Sequence, residues 1–395
     1  MSTLFKPKNI GQMVVKNRFV RSATYECMAK ESGEVSEKLI KMYSTLAKGE
    51  IGLIIPGYLY VHPLGRTSVN QTGIHNDHMI PGLKKIVDVI HQDESKVVFQ
   101  LAHAGMQTTA RTIGTIPLAP SSHVKDPYSL REPAKMSEEQ ILEVIEAFNK
   151  AARRVIETGA DGIQIHSAHT YLINQFLSPF FNQRDDDWGG SDENRFRILK
   201  ELIIQTKKII PKGMSILVKL NTNDYTEPNG ILPELALKYA KWLTELKIDG
   251  LEISCGSPYF SLFQMCRGEV PIDELVRNLP DSIKNRLEPA LRLEIGKHNL
   301  EEGYNLEAAR FIKPYLGEIP LILVGGLRSI EKMKNVIESN DADFISMSRP
   351  FIRDPLLVKK IREKKITRVN CISCNQCLAA IMNGYPVACY VNKRK

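Results

Sequence analysis

Eight short, mostly apolar runs separated by stretches of helical periodicity constrain the fold of this 395-residue chain more than any other feature. The runs lie at residues 17–22, 51–56, 96–101, 162–166, 216–220, 250–254, 320–324 and 344–347. Most are continuous rather than alternating, which is typical of parallel strands covered on both faces by helices. Eight strands alternating with helices over about 350 residues predict a (β/α)8 TIM barrel, an α/β fold, with insertions accounting for the excess length.

The segments between the runs place apolar residues on one face of a helix. Helices are predicted from residue 36 and over 77–92, 137–159, 192–208, 232–246, 305–316 and 329–338. The third is the best marked, because Ser137 and Gln140 form a capping box and Gly159 supplies the C-terminal stop. These helices are expected to form the outer ring of the barrel.

The barrel is expected to occupy residues 1–360 as one domain. Residues 257–305 have weak strand signal and many charges, and they are interpreted as a long insertion with helical pieces over the barrel mouth. Residues 361–395 form a short cysteine-rich C-terminal extension.

Charge and hydropathy exclude several classes of protein. The net charge of +8 is spread over 53 basic and 45 acidic residues, without a basic stripe interleaved with aromatic residues, so no nucleic-acid partner is expected. The N-terminus lacks the apolar core of a signal peptide, and no run is long enough to span a membrane. A cytoplasmic protein without a membrane partner is expected, and a homo-oligomer is compatible with these features.

Polar residues gather at the predicted C-terminal ends of the strands, where α/β barrels place their chemistry. The densest group is His166, His169 and Tyr171, after the fourth strand. The other candidates are Ser22, Ala23, Thr24, Gln100, Lys219, Gly325, Gly326, Ser348 and Arg349. Three polar side chains have no structural need to converge at one strand end, although a single buried histidine is often only a satisfied core residue.

The loops after strands seven and eight predict a phosphate-bearing ligand. Gly325 and Gly326 allow backbone N–H groups to approach an anion, and Arg349 adds a charged clamp. Gln100 and Lys219 would then face the other end of that ligand. The alternatives are a simple Gly-Gly turn and a surface ion pair for Arg349, whereas a buried Lys219 is costly unless something anionic faces it.

Four cysteines, Cys371, Cys374, Cys377 and Cys389, crowd the C-terminal extension at ligand-like spacing. In an intracellular chain this pattern suggests a metal before a disulfide. Thiolates suit both iron–sulfur clusters and zinc, so the spacing leaves a cluster, zinc and unmetallated thiols as alternatives.

Several of these segments together resemble the old yellow enzyme family of FMN-dependent NADH:flavin oxidoreductases. The matching runs are 17–24, 100–105, 166–179, 182–195, 324–326 and 348–355. The resemblance covers residue 4 to about residue 360, and it is most specific from His166 to Arg195.

The resemblance implies an FMN-filled barrel that reduces the C=C bond of α,β-unsaturated carbonyl compounds, enones or enals, with NAD(P)H as electron source. His166 and His169 would hydrogen-bond the carbonyl oxygen, and Tyr171 would protonate the α-carbon. Gln100 would contact the flavin pyrimidine edge. Ser22, Ala23 and Thr24 would line the isoalloxazine, while Gly325, Gly326, Ser348 and Arg349 hold the phosphate.

Three positions depart from the family pattern. Lys219 stands where arginine is usual, and it keeps the positive charge with fewer donors. Tyr25 lies in the region of a residue that often tunes the flavin potential, and Ser348 stands where glycine is common.

The cysteine segment resembles the [4Fe–4S] segment of the branch that contains 2,4-dienoyl-CoA reductase and trimethylamine dehydrogenase. In that branch further domains pass electrons through the cluster to FMN, whereas this chain stops at Lys395. The expectation is an accessory cluster, with direct reduction by NAD(P)H or an external electron-donor protein. A dienoyl-thioester reductase and an amine dehydrogenase-like flavoenzyme are alternatives, and a phosphate-ligand lyase or flavin carrier are alternatives of other classes.

Overall fold

The computed structural model describes residues 2–125, 132–226 and 229–391. At its centre eight parallel strands close into a barrel. In chain order, β1 to β8 are Phe19–Arg21, Leu53–Ile54, Lys96–Ala102, Gly162–Ser167, Ser215–Asn221, Gly250–Ser254, Leu321–Val324 and Phe344–Met347. Each strand falls within or beside a predicted run, so the predicted TIM barrel is confirmed. Residues 392–395 of the predicted extension lie outside the described residues.

The barrel closes between its first and last strands. Val20 of β1 pairs with Leu53 of β2 on one side and with Ser346 of β8 on the other. Every neighbouring pair is parallel, so all eight strands deliver their C-terminal ends to the same mouth.

Helices follow the strands and pack outside the barrel. In chain order, α1 to α8 are Glu37–Ala47, Ile80–His91, Glu138–Thr158, Asp192–Ile209, Pro233–Glu245, Leu306–Ile312, Ile330–Glu338 and Leu357–Arg362. The capping box predicted at the start of α3 is present, and Gly159 ends that helix at φ +77°. One-turn 3₁₀ helices, Asp77–Met79 and Lys313–Tyr315, adjoin α2 and α6.

An N-terminal hairpin that the sequence analysis did not predict packs against the apolar interior of the barrel. Its strands are Lys8–Ile10 and Met13–Val15. Ile10 packs with the inward-facing side chains Val20, Leu217 and Phe344. The Ser215 hydroxyl, at the start of β5, donates to the Ile10 carbonyl at 2.8 Å, so this hairpin covers the N-terminal end of the barrel, opposite the mouth.

Short strands and short helices lie in the loops. Leu59–Tyr60 adds to β3, and Leu118–Ala119 pairs with Ala134–Lys135. The short helices outside the predicted insertion and extension are Thr3–Phe5, Pro63–Gly65, Ala110–Ile113, Leu172–Leu177 and Arg349–Arg353, besides the two 3₁₀ helices already given.

The predicted insertion carries the helices Leu262–Met265, Ile272–Val276 and Asp281–Glu294, and the extension carries Gln376–Met382. The two segments are joined by side-chain amides: Asn375 Nδ2 donates to the Cys266 and Glu269 carbonyls at 2.8 and 2.9 Å. Asn383 Nδ2 donates to the Glu274 carbonyl at 2.6 Å. The cysteine segment therefore packs on the insertion. Among the described residues, none of the helices has the length and apolar character that crossing a bilayer requires.

Candidate active site

A buried polar layer crosses the barrel just above its apolar filling. Gln100 Nε2 donates to Gln164 Oε1 at 2.7 Å, and Gln164 Nε2 donates to Glu252 Oε2 at 2.9 Å. The other Glu252 oxygen accepts from Ser22 Oγ at 2.7 Å and from Ser346 Oγ at 2.9 Å. Side chains from five strands or strand ends thus form one connected network inside the barrel.

Lys219 joins this layer as a buried cation. Its ammonium donates to Ser22 Oγ at 2.8 Å and lies 3.4 Å from Glu252 Oε1. An ammonium group has three donors, so one remains for an acceptor in the mouth. The Glu252 carboxylate therefore supplies part of the negative charge that a buried lysine requires.

Glu252 is not among the residues predicted from the sequence. The available signal was that it is the single charged residue of the run 250–254, in a strand otherwise suited to a fully buried position. Its pairing depends on register, because Lys219 of β5 lies directly beside Glu252 of β6.

His166, His169 and Tyr171 converge at the end of β4, as predicted. The His166 ring lies 4.6 Å from the Tyr171 ring and 5.4 Å from the His169 ring, centroid to centroid. His169 Nε2 is 2.7 Å from Ser254 Oγ, at the end of β6, while His166 Nδ1 is buried and has no hydrogen-bond partner among the described residues. A buried ring nitrogen without a partner is costly unless a ligand supplies one.

Both imidazoles are held neutral. Burial lowers the pKa of His166 well below its ordinary value, and nearby His169 and Lys219 lower it further. Burial, followed by Lys219, lowers the pKa of His169 in the same way. At neutral pH each ring therefore carries one N–H donor, and neither carries a positive charge.

The catalytic candidates stand on a strained loop. His169 and Thr170 both have φ +59°, a region that a β-branched residue such as Thr170 rarely adopts. Asn174 Oδ1 accepts from the Thr170 amide and Gln175 Nε2 donates to the Thr170 carbonyl, both at 2.6 Å. Buried side-chain amides of the helix that follows therefore hold this conformation. Strained backbone of this kind is common at functional sites.

The loops after β7 and β8 lie side by side at the mouth. Gly325 and Gly326 have φ +149° and +68°, and a Cβ on Gly326 would stand 2.8 Å from the Glu301 carbonyl oxygen. Glycine is thus required there by both conformation and space. Ser348 Oγ lies 2.7 Å from Thr24 Oγ1, which links the β8 loop to the β1 loop, and Ala23 packs against the apolar interior of the barrel.

Arg349 lies against the cysteine segment. Its Nη1 donates to the Arg267 carbonyl at 2.9 Å, to the Cys266 carbonyl at 3.3 Å and to Asn375 Oδ1 at 2.5 Å. All of its described hydrogen bonds leave from Nη1. The guanidinium therefore bridges the expected phosphate loop, the insertion and the extension.

The four cysteines of the extension line one small cavity together with Arg349 and Arg353. Arg353 Nη1 lies 3.2 Å from Cys389 Sγ, and Arg328 Nη2 lies 3.7 Å from Cys371 Sγ. In residues 2–125, 132–226 and 229–391, no three histidine, cysteine, aspartate or glutamate side chains are close enough together to hold a single metal ion.

A second residue that sequence reasoning missed is Tyr58, in the loop after β2. Its ring centroid lies 5.1 Å from that of Tyr171, edge to face, and 6.0 Å from that of His166. The only signal that the sequence offered is that Tyr58 lies two residues after the predicted run 51–56.

Comparisons with known proteins identify relatives of this chain. Residues 3–258 match the model of the NADH:flavin oxidoreductase / NADH oxidase family. The chain is 29% identical over 384 residues to 4,4'-dithiodibutanoate disulfide reductase of Rhodococcus erythropolis, covering 97% of this chain and 94% of that protein. It is 32% identical over 394 residues to NADH oxidase of Thermoanaerobacter brockii, covering 98% and 56%.

Two solved structures share the fold. A 2-naphthoyl-CoA reductase complex superposes with a TM-score of 0.85 at 26% identity, over 99% of this chain and 57% of that one. The old yellow enzyme homologue of Zymomonas mobilis superposes with a TM-score of 0.73 at 25% identity, over 94% and 96%. The chain therefore spans nearly the full length of two of these relatives and little more than half of the other two.

Proposed function

The chain belongs to the NADH:flavin oxidoreductase / NADH oxidase family, as its resemblance to the old yellow enzyme family predicted, and from this premise we propose that it is an FMN-dependent ene reductase. It would reduce the C=C bond of α,β-unsaturated carbonyl compounds at the expense of NAD(P)H. The observation that carries the proposal is the convergence of His166, His169 and Tyr171 at the barrel mouth beside the Lys219 layer.

The residues at the mouth fit a flavin mononucleotide. Glycine is required at Gly326, where the backbone must turn in a loop typical of phosphate binding in this fold. Ser348 and the Nε and Nη2 groups of Arg349 would add donors to that phosphate. Lys219 has a donor left for an electron-rich ring edge, Gln100 lies in the same layer, and Ser22, Ala23 and Thr24 would line the ring.

When bound, the flavin supplies the hydride. The neutral imidazoles of His166 and His169 would each donate one hydrogen bond to the substrate's carbonyl oxygen, which draws electron density from the β-carbon. Because neither ring is charged, the pair binds a neutral carbonyl without the desolvation cost of a cation. The Tyr171 phenol would deliver its proton to the α-carbon.

A substrate screen tests this proposal. The flavin-loaded protein should oxidise NADH or NADPH in the presence of cyclohexenone, a conjugated aldehyde or an enoyl thioester. Tyr171→Phe should lower the rate at which alkene reoxidises the flavin, while NAD(P)H still reduces it at the normal rate. A flavin-loaded sample that turns over none of these alkenes would count against the proposal, and equal loss of both half-reactions would remove Tyr171 as the proton donor.

The cysteine segment is proposed to hold a [4Fe–4S] cluster as an accessory group. The four cysteines line one cavity, and four cysteine thiolates are the usual ligands of such a cluster. When bound, the cluster supplies one-electron transfer. Iron and acid-labile sulfide should be present after anaerobic purification and lost in Cys374→Ser. The absence of sulfide from a fully flavinated sample would contradict the proposed cluster.

A second candidate function is the reductive cleavage of a small organic disulfide. The R. erythropolis enzyme of that name, which this chain matches over nearly its whole length, favours this candidate. Two electrons and two protons would convert the disulfide into two thiols. The test is release of free thiols from 4,4'-dithiodibutanoate with NADH, and a rate below that of the alkenes would leave ene reduction as the main activity.

A further inference from the structure

We propose that Asn375, in the cysteine segment, is a positioning residue that holds the Arg349 guanidinium ready to bind the phosphate of flavin mononucleotide. The proposal deepens the proposed function and rests on it, because it takes the loops after β7 and β8 as the phosphate site. It makes the C-terminal extension a part of the flavin site, through a contact that involves no cysteine side chain.

The Asn375 amide has one orientation in the structure. Its Nδ2 donates to the Cys266 carbonyl at 2.8 Å and to the Glu269 carbonyl at 2.9 Å. A carboxamide has two N–H donors, both used here, so these bonds fix which way the group faces. Its Oδ1 accepts from Arg349 Nη1 at 2.5 Å. The side chain is only 1% exposed, so water does not compete for these bonds.

The backbone around Asn375 is also fixed. Ser373 and Asn375 have φ +60° and +54°, in the left-handed region that asparagine adopts more readily than most residues. The Glu269 amide donates to the Ser373 carbonyl at 3.0 Å, and a Cβ on Gly268 would collide with that carbonyl oxygen. The close packing of the insertion on the extension therefore sets where the Asn375 oxygen stands.

A second arginine ties the cysteine segment to the loop after β7. Arg328, two residues after Gly326, donates from Nε to the Cys371 carbonyl at 2.9 Å and from Nη2 to Ser373 Oγ at 2.8 Å. Arg328 is buried. Residues 371–375 thus contact both loops of the expected phosphate site, the β7 loop through Arg328 and the β8 loop through Arg349.

The glycine loop and Arg349 meet the same stretch of the insertion. A Cβ on Gly326 would stand 3.0 Å from the Tyr304 ring, and the Tyr304 hydroxyl donates to the Met265 carbonyl at 2.7 Å. The Arg267 guanidinium lies 4.7 Å from the centroid of the same ring, while its carbonyl accepts from Arg349 Nη1 at 2.9 Å. Arg349 is therefore held on the side of the insertion that the glycine loop also contacts.

The contact with Asn375 leaves the phosphate-binding edge of Arg349 available. Nε and Nη2 form one edge of a guanidinium, whose parallel N–H groups match two phosphate oxygens, and the described hydrogen bonds of Arg349 all leave from Nη1. A guanidinium plane fixed before the ligand arrives loses less conformational freedom on binding. Loss of the Asn375 oxygen should therefore weaken binding of the phosphate and not of the isoalloxazine ring.

Titration with two flavins tests the proposal. Full-length protein freed of flavin is titrated with FMN and with riboflavin, which lacks the phosphate, and binding is followed by the change in flavin fluorescence. In Asn375→Gly the Kd for FMN should rise roughly 10-fold, near the low end of the loss expected for a charge-assisted hydrogen bond. The Kd for riboflavin should stay within about twofold of wild type. Glycine adopts positive φ without strain, so the variant keeps the backbone.

Two further variants show whether Asn375 acts through Arg349. The matched control is Asn383→Ala, because Asn383 Nδ2 joins the extension to the Glu274 carbonyl at 2.6 Å and has no described bond to Arg349. Both Kd values of this control should stay within about twofold of wild type. Arg349→Met should also lose affinity for FMN alone, and adding Asn375→Gly to it should change that affinity by less than about twofold.

The possible results separate the inference from the proposed function. An unchanged Kd for FMN in Asn375→Gly, or an equal rise of both Kd values, would overturn the positioning role. A further loss of about 10-fold in the double variant would overturn it as well, since Asn375 would then act without Arg349. Wild-type protein that binds FMN no more tightly than riboflavin would overturn the inference and leave the flavin function standing. Wild-type protein that binds neither flavin would refute the proposed function, and the inference with it.

Discussion

Replacing Glu252 with glutamine should destabilise the barrel more than any exposed charge substitution. Glu252 is fully buried and accepts from Ser22, Ser346 and Gln164, and it faces the Lys219 ammonium at 3.4 Å. Glutamine has the same shape, but it removes the counter-charge and turns one acceptor into an NH2 donor. The Lys219 cation would then be buried without its ionic partner.

The expected loss is large because the pair is buried. Removing one partner of a buried ion pair costs about 3–5 kcal/mol, whereas an exposed pair contributes about 0–1 kcal/mol. For 395 residues, an unfolding entropy of roughly 2.1 cal/mol/K per residue converts that loss into a Tm decrease of roughly 4 to 6 °C. The Tm should be compared in the flavin-free proteins, because a bound ligand adds its own stabilisation.

Thermal unfolding followed by circular dichroism measures this shift. Glu288→Gln is the matched control, because Glu288 pairs with Arg292 on the surface of the helix Asp281–Glu294, and its Tm should move by less than about 1 °C. The double variant Lys219→Met with Glu252→Gln should recover part of the loss, since it removes the orphaned charge as well. A Glu252→Gln protein as stable as the Glu288→Gln control would refute the assignment of Glu252 as the counter-ion.

Two further predictions address the loop and the pH dependence. Gly326→Ala should weaken flavin retention on dialysis, because the new Cβ would lie 2.8 Å from the Glu301 carbonyl oxygen. The control is Gly159→Ala, which has a similar φ but no atom within 4 Å of the new Cβ, and it should retain flavin normally. Burial lowers the pKa of His103 from 6.5 to about 3, so below pH 6.5 the unfolded chain binds a proton that the folded chain does not. Stability should therefore fall on acidification, by about 2 kcal/mol from this group at pH 5. Urea unfolding should show a smaller loss of stability on acidification for His103→Gln than for the exposed-site control His78→Gln. Equal slopes of the free energy of unfolding against pH in the two variants would contradict this prediction.

The barrel could be predicted because its signals are local. Each strand is a short apolar run, and each helix carries its own periodicity and, as at Ser137 and Gly159, its own caps. The eight-strand count then limits the closed architectures to one familiar fold. The hairpin at Lys8–Ile10 was missed because its three-residue strands give too few apolar positions to form a pattern.

The grouping of the three candidate catalytic residues could also be predicted, for a related reason. His166, His169 and Tyr171 lie within six residues at the end of one strand, so chain connectivity alone keeps them close. Their neutral state was not predictable, because it follows from burial and from Lys219 on the adjacent strand.

What the sequence by itself determined is therefore the fold class, the end of the barrel at which the candidate site lies, and the residues that local chain geometry brings together. Only the tertiary structure decided which distant groups meet. The pairing of Lys219 with Glu252 depends on the register of β5 against β6, and the approach of Tyr58 to Tyr171 depends on loops from different strands meeting at one mouth. Such contacts carry no local signature, because they are set by strand register and barrel closure rather than by the spacing of residues along the chain.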